Sequence, residues 1–490
     1  MQLHDLLVAV DGPEVRGDDR VDVRSVVHDT RQVTPGALFC CVRGSTTDGH
    51  RLAAAAAAAG AVALLVEEPV ATDLTEVQVP SVRAAMGPIA AAFHRHPSRA
   101  VRLLGVTGTN GKTTTTYLLE QIARAAGDVT GVIGTVETRI GAVAETPVHT
   151  TPEAPDLQAL LARMRDAGVG TVAMEVSSHA LDQHRVAGCW FAATCFTNLS
   201  HDHLDYHGTV DAYLAAKERL FTPDYTTVAA INADDPRGEL VASHARARGI
   251  AVTTFGVAAT ADVRARDVEL DARGVRMRVR DVAGRELMVA SSLVGDFNAA
   301  NVLAAVATAR IAGVADDAIV AGLAHPVVVP GRMERVDVGQ PFVVLVDYAH
   351  TPDALERVLG SARHLAGEAG RLLVVFGCGG DRDRAKRPRM GAIASSYADV
   401  AVVTSDNPRS EPPSAIVDEI MVGVDTTAAD VVVELDRRLA IRAALGRARG
   451  GDVVVIAGKG HESGQTFADH TAPFDDRHVA REELEALRCA

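Results

Sequence analysis

The stretch Leu103-Leu104-Gly105-Val106-Thr107-Gly108-Thr109-Asn110-Gly111-Lys112-Thr113 runs from an apolar segment through a glycine-rich turn to a lysine and a threonine. This order predicts a strand, a phosphate-binding loop and then a helix that begins near Thr114. The glycines let backbone N–H groups approach phosphate oxygens, and the helix N-terminus adds a positive dipole. Lys112 can then reach the outer phosphates, and Thr113 can bind magnesium. The loop is two residues shorter than the usual eight-residue form, and a purely structural glycine-rich turn is the alternative.

Further apolar segments along the chain also end in polar or glycine-rich motifs. They are 172–174 before Glu175, 343–346 before Asp347, 372–376 before 377–380, 400–404 before Asp406, and 453–457 before 458–462. Apolar strands that alternate with helices indicate doubly wound α/β domains. Because ligands bind at the carboxyl ends of parallel strands, we expect a site between two such domains.

The chain has 490 residues, which is enough for two to four domains. Its fold class is α/β, and two breaks divide it into three domains. Residues 1–98 hold short strands, turns and an alanine-rich helix, and they end in a polar linker. Residues 99–331 form a central doubly wound domain with the phosphate loop, which ends where Pro330 and Gly331 mark a break. Residues 332–490 carry more strand–helix units and form a Rossmann-like C-terminal domain.

Composition restricts the classes of partner and location. Apolar residues make up 47% and charged residues 23%, which is typical of a soluble globular protein. The net charge of −14 opposes binding to nucleic acid, and no basic patch is visible. The six cysteines contain no CxxC pair, which favours reduced thiols in the cytoplasm. We see no signal peptide, and the longest apolar run, 52–66, is too short to span a membrane, so we predict a buried helix that leads into a strand.

Three polar groups in the central domain are candidates for chemistry. Glu175 ends an apolar strand, where a carboxylate could reach magnesium held by the phosphate loop, with a capping or surface carboxylate as the alternative. The segment His201-Asp202-His203-Leu204-Asp205-Tyr206-His207 is dense enough in metal-binding side chains to suggest a metal or phosphate site. Its spacing fits no zinc site, and a solvated loop is the alternative. Lys217 lies on a helix predicted over 210–221, and taken alone it is most simply a solvated lysine.

The tetrapeptide Asp406-Asn407-Pro408-Arg409 follows a predicted strand. Pro408 fixes the turn, Asn407 offers both a donor and an acceptor, and the planar fork of Arg409 suits a carboxylate. An ordinary turn is the alternative for these four residues.

Several motifs occur together, in one order, along most of the chain. They are 108–114, His149-Thr150-Thr151-Pro152, Glu175-Val176-Ser177-Ser178-His179-Ala180-Leu181, 198–207, Pro330-Gly331-Arg332-Met333-Glu334, Asp347-Tyr348-Ala349-His350-Thr351-Pro352 and Gly458-Lys459-Gly460-His461-Glu462. On these motifs the chain, from about Asp29 to Arg477, resembles the Mur ligase family and within it the MurE type. The resemblance implies a first domain that binds UDP and a reaction in peptidoglycan synthesis.

In the reaction that the resemblance implies, ATP phosphorylates the terminal carboxylate of a UDP-sugar-peptide. An incoming amine then attacks the acyl phosphate to give an amide, ADP and phosphate. Such a reaction depends on neutralising charge and on positioning rather than on a protein nucleophile. This agrees with the lack of a convincing Ser/His/Asp or Cys/His set in the sequence.

The resemblance also assigns roles by position. The implied catalytic residues are Lys112, Glu175, His203 and Lys217. The implied ATP-binding residues are Gly108, Thr109, Asn110, Gly111, Lys112, Thr113, Thr114, Asn298, Arg332, Asp347 and His350. The implied UDP-sugar-peptide contacts are Thr30, Thr150, Thr151, Ser177, Gln183 and Arg185, with Thr30 standing where the family usually has serine. Two magnesium sites would use Thr113, Glu175, His203 and Lys217, the last converted by carbon dioxide into N6-carboxylysine.

The identity of the incoming amino acid is a further implication of the resemblance. Members that add meso-diaminopimelate to UDP-N-acetylmuramoyl-L-alanyl-D-glutamate carry the motif seen at Asp406 to Arg409. The implied contacts are Arg382, Asp406, Asn407, Pro408, Arg409, Gly458 and Glu462. Arg409 suits the distal carboxylate and Glu462 the distal ammonium. Lysine would leave Arg409 unpaired, and an unpaired buried polar group costs about 1–3 kcal/mol, or more when it is charged.

Four alternatives to this function stay open from the sequence. A lysine-adding enzyme and a ligase for another amino acid share the fold. A folate polyglutamate ligase shares the phosphate loop, but the segment 177–181 and the first domain fit it poorly. A nucleotide-gated binding protein without catalysis is opposed by the joint presence of Lys112, Glu175, His203 and Lys217. A monomer is the state that the resemblance implies.

Overall fold

Three large β-sheets follow one another along the chain in the computed structural model, which describes residues 1–44, 47–271 and 273–489. The first sheet has five strands in the spatial order β1-β5-β4-β3-β2, with β1 antiparallel and the other neighbours parallel. Its elements are α1 (Leu3–Leu7), β1 (Glu14–Arg16), β2 (Ser25–Val27), β3 (Ala37–Cys40), α2 (Ala53–Ala58), β4 (Ala61–Val66), β5 (Thr75–Gln78) and α3 (Val82–Phe93). The alanine-rich run forms α2 and β4, so the prediction of a helix leading into a strand is confirmed. The predicted burial of the helix is wrong, because only Ala53 and Ala56 of α2 are buried and its other face is exposed.

The central sheet has eleven strands in the order β16-β15-β14-β13-β12-β11-β6-β10-β7-β8-β9. Its strands are β6 (Arg102–Thr107), β7 (Thr130–Ile133), β8 (Thr138–Ile140), β9 (Val143–Glu145), β10 (Thr171–Glu175), β11 (Ala193–Phe196), β12 (Val228–Asn232), β13 (Ala251–Gly256), β14 (Val263–Asp271), β15 (Gly274–Asp281) and β16 (Glu286–Ser291). Its helices are α4 (Lys112–Ala125), α5 (Ala154–Asp166), α6 (Ser178–Asp182), α7 (Leu204–His207), α8 (Val210–Glu218), α9 (Gly238–Ala247), α10 (Asp296–Ile311) and α11 (Asp316–Ala324). Strands from β7 to β14 in this order are parallel, and antiparallel strands extend both edges.

The third sheet has six strands in the order β17-β18-β22-β19-β20-β21, with β17 antiparallel and the others parallel. Its elements are β17 (Glu334–Arg335), β18 (Val343–Asp347), α12 (Pro352–Ala366), β19 (Leu372–Phe376), α13 (Lys386–Tyr397), β20 (Val400–Val403), α14 (Pro413–Met421), β21 (Asp430–Val433), α15 (Arg437–Arg447), β22 (Val453–Ala457) and α16 (Asp476–Cys489). A separate ribbon pairs β23 (Gly464–Thr466) with β24 (Thr471–Pro473). These three sheets confirm the predicted three-domain α/β fold.

The cores are built from small aliphatic side chains because aromatic residues are only 4% of the chain. Helix α10 is buried along every residue from Asn301 to Ala309, mostly valine and alanine, and packs against α4 and the central strands. Small side chains let this helix approach the sheet closely, since interiors are close-packed. Gly105 in β6 serves the same purpose, because a Cβ there would lie 2.7 Å from the ring of Phe191.

Two helix boundaries differ from those expected. Helix α4 begins at Lys112 rather than near Thr114, since Gly111 in a left-handed conformation already serves as its N-cap. Helix α8 ends at Glu218 rather than at 221. The domain boundaries at 98/99 and 331/332 fall between the sheets and stay predictions. Within the described ranges, no helix combines the length and the apolar character needed to cross a bilayer.

Candidate active site

The glycines of the phosphate loop between β6 and α4 are required by both backbone conformation and space. Gly108 and Gly111 have φ values of 149° and 84°. A Cβ on Gly108 would lie 1.9 Å from Oγ1 of Thr197, and one on Gly111 would lie 2.3 Å from Oδ1 of Asn301. The loop therefore runs too close to its neighbours for any side chain at these two positions.

The Lys112 side chain folds back over the loop. Its Nζ donates to the carbonyl oxygens of Gly108 at 2.9 Å and Thr109 at 2.8 Å. Burial lowers the pKa of Lys112 from its usual value. The amine is thus held at the mouth of the loop, where the outer phosphates of a nucleotide bind in loops of this type.

Asn198 holds the loop from the neighbouring strand and was missing from the predicted site. Its Oδ1 accepts from the N–H of Asn110 at 2.9 Å, its Nδ2 donates to the Asn110 carbonyl at 3.1 Å, and its own carbonyl accepts from the N–H of Thr109 at 2.8 Å. The parallel register of β11 on β6, with Phe196 opposite Thr107, brings Asn198 to the loop. The position of Asn198 just after an apolar strand is a sequence signal that could have identified it as a site residue.

A cavity of about 470 Å³ opens at this end of the central sheet and reaches the third domain. It brings together Thr109, Asn110, Gly111, Lys112, Thr113, Thr114, Thr150, Glu175, Ser177, His203, Lys217, Arg332, Asp347 and His350 of the predicted residues. This volume is within the usual range of ligand sites. Among the residues that the structure describes, the other predicted site residues do not line this cavity. They are Gly108, Thr30, Thr151, Gln183, Arg185, Asn298 and the residues of the predicted amino-acid pocket.

Asn298 is buried one helical turn before Asn301 and does not itself line the cavity. Its Nδ2 donates to the carbonyl of Val294 at 2.7 Å, and its Oδ1 accepts from Nδ2 of Asn301 at 2.8 Å. Asn301 lines the cavity and lies against Gly111. Asn298 thus orients Asn301, a residue that the sequence reasoning missed although it follows at i+3 on the same helix face.

Glu175 ends β10 beside Val106 of β6 and is 1% exposed. Its carboxylate accepts from the backbone N–H of Thr135 at 2.8 Å and from the Thr135 hydroxyl at 3.1 Å. With the hydroxyl of Thr113 it supplies oxygen donors in the cavity, which are the ligands that magnesium prefers. These two residues fit a magnesium ion beside the phosphate loop.

Lys217 is buried, whereas a lone lysine on a helix is expected to be solvated. It is 1% exposed, and its Nζ donates to the Gly108 carbonyl at 2.8 Å and lies 4.3 Å from the ring centroid of Tyr213. Burial, and then the charge of Lys112, hold the pKa of Lys217 well below its usual value. A shift in this direction favours the neutral amine, which can act as a nucleophile.

His203 sits at the start of α7 in a left-handed conformation with φ of 52°. Its ring packs edge-on against that of His179 at 4.8 Å. Burial lowers the pKa of His203 and brings that of His179 to about 4. Among the described residues, no three His, Cys, Asp or Glu side chains form a ready metal site. The Asp202 carboxylate lies 3.4 Å from the His203 ring and also lines the cavity, so a second magnesium ion would find one imidazole and one carboxylate here.

Most of the predicted sugar-peptide contacts form one hydrogen-bonded network behind the cavity. Thr151 Oγ1 donates to the Glu175 carbonyl at 2.9 Å and accepts from the N–H of Ser177 at 3.2 Å. Arg185 donates to Gln183 Oε1 at 2.8 Å and to the carbonyl of Thr151 at 3.1 Å. The hydroxyls of Thr150 and Thr135 lie 3.0 Å apart. The network thus links this face to the Glu175 carboxylate.

Thr30 lies outside that network, in the first domain, where it begins a short 3-10 helix over Thr30–Gln32. The side chain of Asp29 caps this helix and pairs with Arg31, whose hydrogen bond holds the pKa of Asp29 at about 2. The first domain contacts the central one through Arg83, which donates to Glu153 at 3.2 Å, while Glu153 also pairs with Arg185 at 3.1 Å. Glu153 therefore connects the first domain to a predicted substrate residue.

The third domain closes the cavity with residues at the end of β18. The Asp347 carboxylate accepts from the N–H groups of Met333 at 2.7 Å and Ala349 at 2.8 Å, while burial raises its pKa. The Arg332 guanidinium lies 4.5 Å from the ring centroid of Tyr348. Burial lowers the pKa of His350, so its ring is neutral at pH 7.

The predicted amino-acid pocket forms where β20 and β22 end. Asn407 Nδ2 donates to Glu462 Oε2 at 2.9 Å, and a Cβ on Gly458 would lie 2.5 Å from Asp406 Oδ2. Arg409 has a φ of 51° and donates to the carbonyl of Gly380 at 2.8 Å. Arg382 is exposed, and its side chain and that of Arg409 both lie beside Gly379. The structure thus brings two guanidiniums and two carboxylates to one region.

A phosphate loop that faces a Rossmann-like domain across a shared cavity defines a nucleotide-binding α/β protein, and its relatives place it among the ATP-dependent ligases. Family models match three parts of the chain: "Mur ligase family, catalytic domain" over 22–94, "Mur ligase middle domain" over 106–309 and "Mur ligase, glutamate ligase domain" over 331–460. The chain belongs to the Mur ligase family, which confirms the resemblance seen in its motifs.

Individual relatives match the chain over its whole length. It is 45% identical to the UDP-N-acetylmuramoyl-L-alanyl-D-glutamate–2,6-diaminopimelate ligase of Geobacillus thermodenitrificans, with 100% of both chains covered. It is 44% identical to the ligase of the same name from Streptomyces avermitilis, with 95% of this chain and 93% of that protein covered.

Solved structures support the same family. A structure with that ligase name has a TM-score of 0.74 and 34% identity, covering 100% of this chain and 99% of that one. The MurF ligase from Thermotoga maritima in complex with ADP has a TM-score of 0.62 and covers 95% of this chain and 97% of its own. At 17% identity it shows a shared fold only.

Proposed function

We propose that this chain joins meso-2,6-diaminopimelate to UDP-N-acetylmuramoyl-L-alanyl-D-glutamate at the expense of ATP, in peptidoglycan synthesis. The observation that carries the proposal is the motif Asp406 to Arg409 beside Gly458 and Glu462, in a chain 45% identical over its full length to a relative named for this reaction. The lysine-adding reaction has less support, because lysine has no distal carboxylate to pair with Arg409.

The reaction has two steps that balance without a protein nucleophile. A carboxylate oxygen of the terminal glutamate attacks the γ-phosphorus of ATP, so the bond to ADP breaks and an acyl phosphate forms. The amine of diaminopimelate then attacks the acyl carbon, phosphate leaves with the C–O bond pair, and the nitrogen loses a proton. Lys112 and the N-terminus of α4 stabilise negative charge on the transferring group.

Thr113 and Glu175 would hold one magnesium ion, and His203 with Lys217 a second. When bound, magnesium neutralises charge on the transferring phosphoryl group. Lys217 would enter this set as a carbamate: its neutral amine attacks carbon dioxide, loses one proton and becomes an anion. Its burial and its lowered pKa support this role, because an ammonium can neither attack carbon dioxide nor bind a cation.

The carbamate is open to direct observation because the chain has only four lysines, Lys112, Lys217, Lys386 and Lys459. We expect one carbamate signal in the carbon NMR spectrum of enzyme equilibrated with 13C-bicarbonate, and its loss in Lys217→Arg. Lys386→Arg is the matched control and keeps the signal. A wild-type enzyme without any such signal would remove the carbamate from the mechanism.

The substrate assignment is tested by phosphate release with ATP, magnesium, the UDP-dipeptide and one amino acid at a time. We expect turnover with meso-diaminopimelate and at most weak turnover with L-lysine or D-glutamate. Turnover with lysine but not with diaminopimelate would contradict the assignment. Lack of turnover with every amino acid would favour a binding protein without catalysis.

We infer in addition that the enzyme acts in the cytoplasm as a monomer. Cys40, Cys41, Cys189, Cys195 and Cys378 are buried free thiols, which suits a reducing compartment. Light scattering at working concentration checks the oligomeric state, and a dimer mass would contradict this inference.

A further inference from the structure

Lys459 is fully buried beneath the amino-acid pocket, in the loop that follows β22. Its side chain is 0% exposed, whereas that of Glu462 is 32% exposed. The ammonium donates to Asn407 Oδ1 at 2.9 Å and to Glu462 Oε2 at 3.1 Å. Two of the residues proposed to bind diaminopimelate, Asn407 and Glu462, are therefore contacted by Lys459 from the protein interior.

These contacts fix which way the Asn407 amide points. Its Oδ1 accepts from Lys459 Nζ and also from the backbone N–H of Thr466 at 3.0 Å. Both partners can only donate, so a reversed amide would set its NH2 group against two donors. Nδ2 must then face Glu462 Oε2, where it donates at 2.9 Å. Lys459 thus orients the amide and, through it, the carboxylate.

The same ammonium also changes the charge beside Glu462, which it contacts. In the proposed diaminopimelate set, Arg382 and Arg409 are positive and Asp406 and Glu462 are negative, and the Asp381 carboxylate, which interacts with Arg409, adds a further negative charge. The nearby guanidinium of Arg437 is paired with Asp476 at 2.6 Å. Lys459 adds one further positive charge to this region.

The distal end of diaminopimelate carries both an ammonium and a carboxylate and is neutral overall. The distal end of lysine carries only an ammonium. The positive charge of Lys459 beside Glu462 therefore has little effect on the first ligand and repels the second.

We propose that Lys459 is a positioning residue that sets amino-acid specificity: it holds Asn407 and Glu462 for the distal amino-acid head and rejects ligands with a cationic end. The inference rests on the proposed function and extends it to a residue that does not itself touch the substrate. Removing the ammonium loosens Asn407, which weakens binding of diaminopimelate. It also leaves Glu462 uncompensated, which attracts the ammonium of lysine. Both effects lower the preference for diaminopimelate.

The test is Lys459→Met in the full-length enzyme, with kcat and KM measured for meso-diaminopimelate and L-lysine. We expect the ratio of kcat/KM for diaminopimelate over lysine to fall by about tenfold or more, since like charges a few ångströms apart reach this magnitude. The KM for ATP is expected to stay within about twofold. Lys386→Met is the matched control: its Nζ donates to the His350 carbonyl at 2.8 Å, on the nucleotide side, and the amino-acid ratio is expected to stay unchanged.

The outcomes separate the two proposals. If the wild-type enzyme does not use diaminopimelate, the proposed function fails and this inference fails with it. If the wild type uses diaminopimelate and Lys459→Met keeps the same preference, only the role of Lys459 is overturned. Binding of ADP, followed by thermal shift, reports whether the third domain is folded. Lys459→Gln is a second variant that keeps a hydrogen-bond donor for Asn407 but removes the charge. If neither Lys459→Met nor Lys459→Gln binds ADP, Lys459 is required for folding of the domain, and the inference is overturned.

Discussion

Lys112 and Lys217 donate hydrogen bonds to the same backbone oxygen, that of Gly108, at 2.9 and 2.8 Å. Two ammonium groups this close would repel each other, and the charge of Lys112 is one cause of the lowered pKa of Lys217. The arrangement favours one charged and one neutral amine. Lys112 is the partner suited to phosphates, which leaves Lys217 as the neutral amine that the proposed carbamate requires.

Lys217→Ala is expected to reduce kcat by about 100-fold or more, because an electrostatic contact of this kind is worth several kcal/mol in a transition state. Added formate or acetate should restore part of the rate by supplying a carboxylate in the space left. Steady-state phosphate release with and without these acids measures both effects. Near-normal turnover of the variant would show that the carbamate has no part in the reaction.

Gly111→Ala is expected to weaken ADP binding, because the new Cβ would lie 2.3 Å from Asn301 Oδ1 and the residue keeps a φ of 84°. The conformation alone costs about 1–3 kcal/mol, and displacement of Asn301 adds to it. Gly127→Ala is the matched control, with a φ of 91° and open space around its Cβ. Calorimetric titration with ADP should separate the variants: equal affinities would mean that the contact with Asn301 does not matter.

Asn198→Leu should raise the KM for ATP by about tenfold, since it removes two hydrogen bonds that hold the loop at Asn110, each worth about 0.5–1.5 kcal/mol. The KM for the amino acid should change little. Asn198→Asp keeps the acceptor for the Asn110 N–H, so its KM for ATP is expected to lie between those of wild type and Asn198→Leu. A KM for ATP equal to that of wild type in Asn198→Leu would count against this role.

Arg409→Met is expected to raise the KM for meso-diaminopimelate by about tenfold to a hundredfold, from the loss of a charged hydrogen-bonded partner. The KM for L-lysine should rise less, because lysine has no distal carboxylate. Arg442→Met is the control for loss of a guanidinium: the exposed Arg442 pairs with Glu483 of α16, and Arg438 still pairs with that buried carboxylate in the variant. Equal effects on both amino acids would place the distal carboxylate elsewhere.

Stability should decline as pH falls from about 6.5 to about 4, and His461 contributes to this decline. Burial lowers the pKa of His461 to about 4, so between these values the unfolded chain binds a proton that the folded chain does not. The contribution is present above pH 6.5 and is lost as pH falls. His461→Phe keeps a ring beside Tyr348, 5.0 Å away, without the titration.

Urea unfolding at pH 7 and pH 5 measures the effect. The difference in unfolding free energy between the two pH values should be smaller in His461→Phe than in wild type. An identical difference in both proteins would exclude His461 as a source of the pH dependence.

Much of the fold could be predicted because strand ends and loops are local features. The apolar run before Gly108 and the glycines after it gave both the strand and the phosphate loop. The ends of two helices were misplaced by a few residues, because helix boundaries depend on capping. At α4 the cap is Gly111 in a left-handed conformation. The sequence pattern shows a glycine at this position but does not show that it caps the helix.

The site could be predicted only in part, and the asparagines show why. Asn298 was assigned to the nucleotide, yet Asn301 is the one that lines the cavity in the described structure. Residues at i and i+3 share a helix face, so the sequence indicates the face and leaves the exact contact to packing. Asn198 and Thr135 act on residues 88 and 40 positions away in the chain.

The sequence by itself determined the phosphate loop, the alternation of strands and helices, and membership in the Mur ligase family, since each is written in contiguous residues. Only the tertiary structure decided that Lys217 is buried against Gly108, that Thr135 holds Glu175, and that Lys459 lies under Asn407 and Glu462. These contacts depend on the order and register of strands. The sum of many weak packing interactions fixes that order, and no local pattern encodes it.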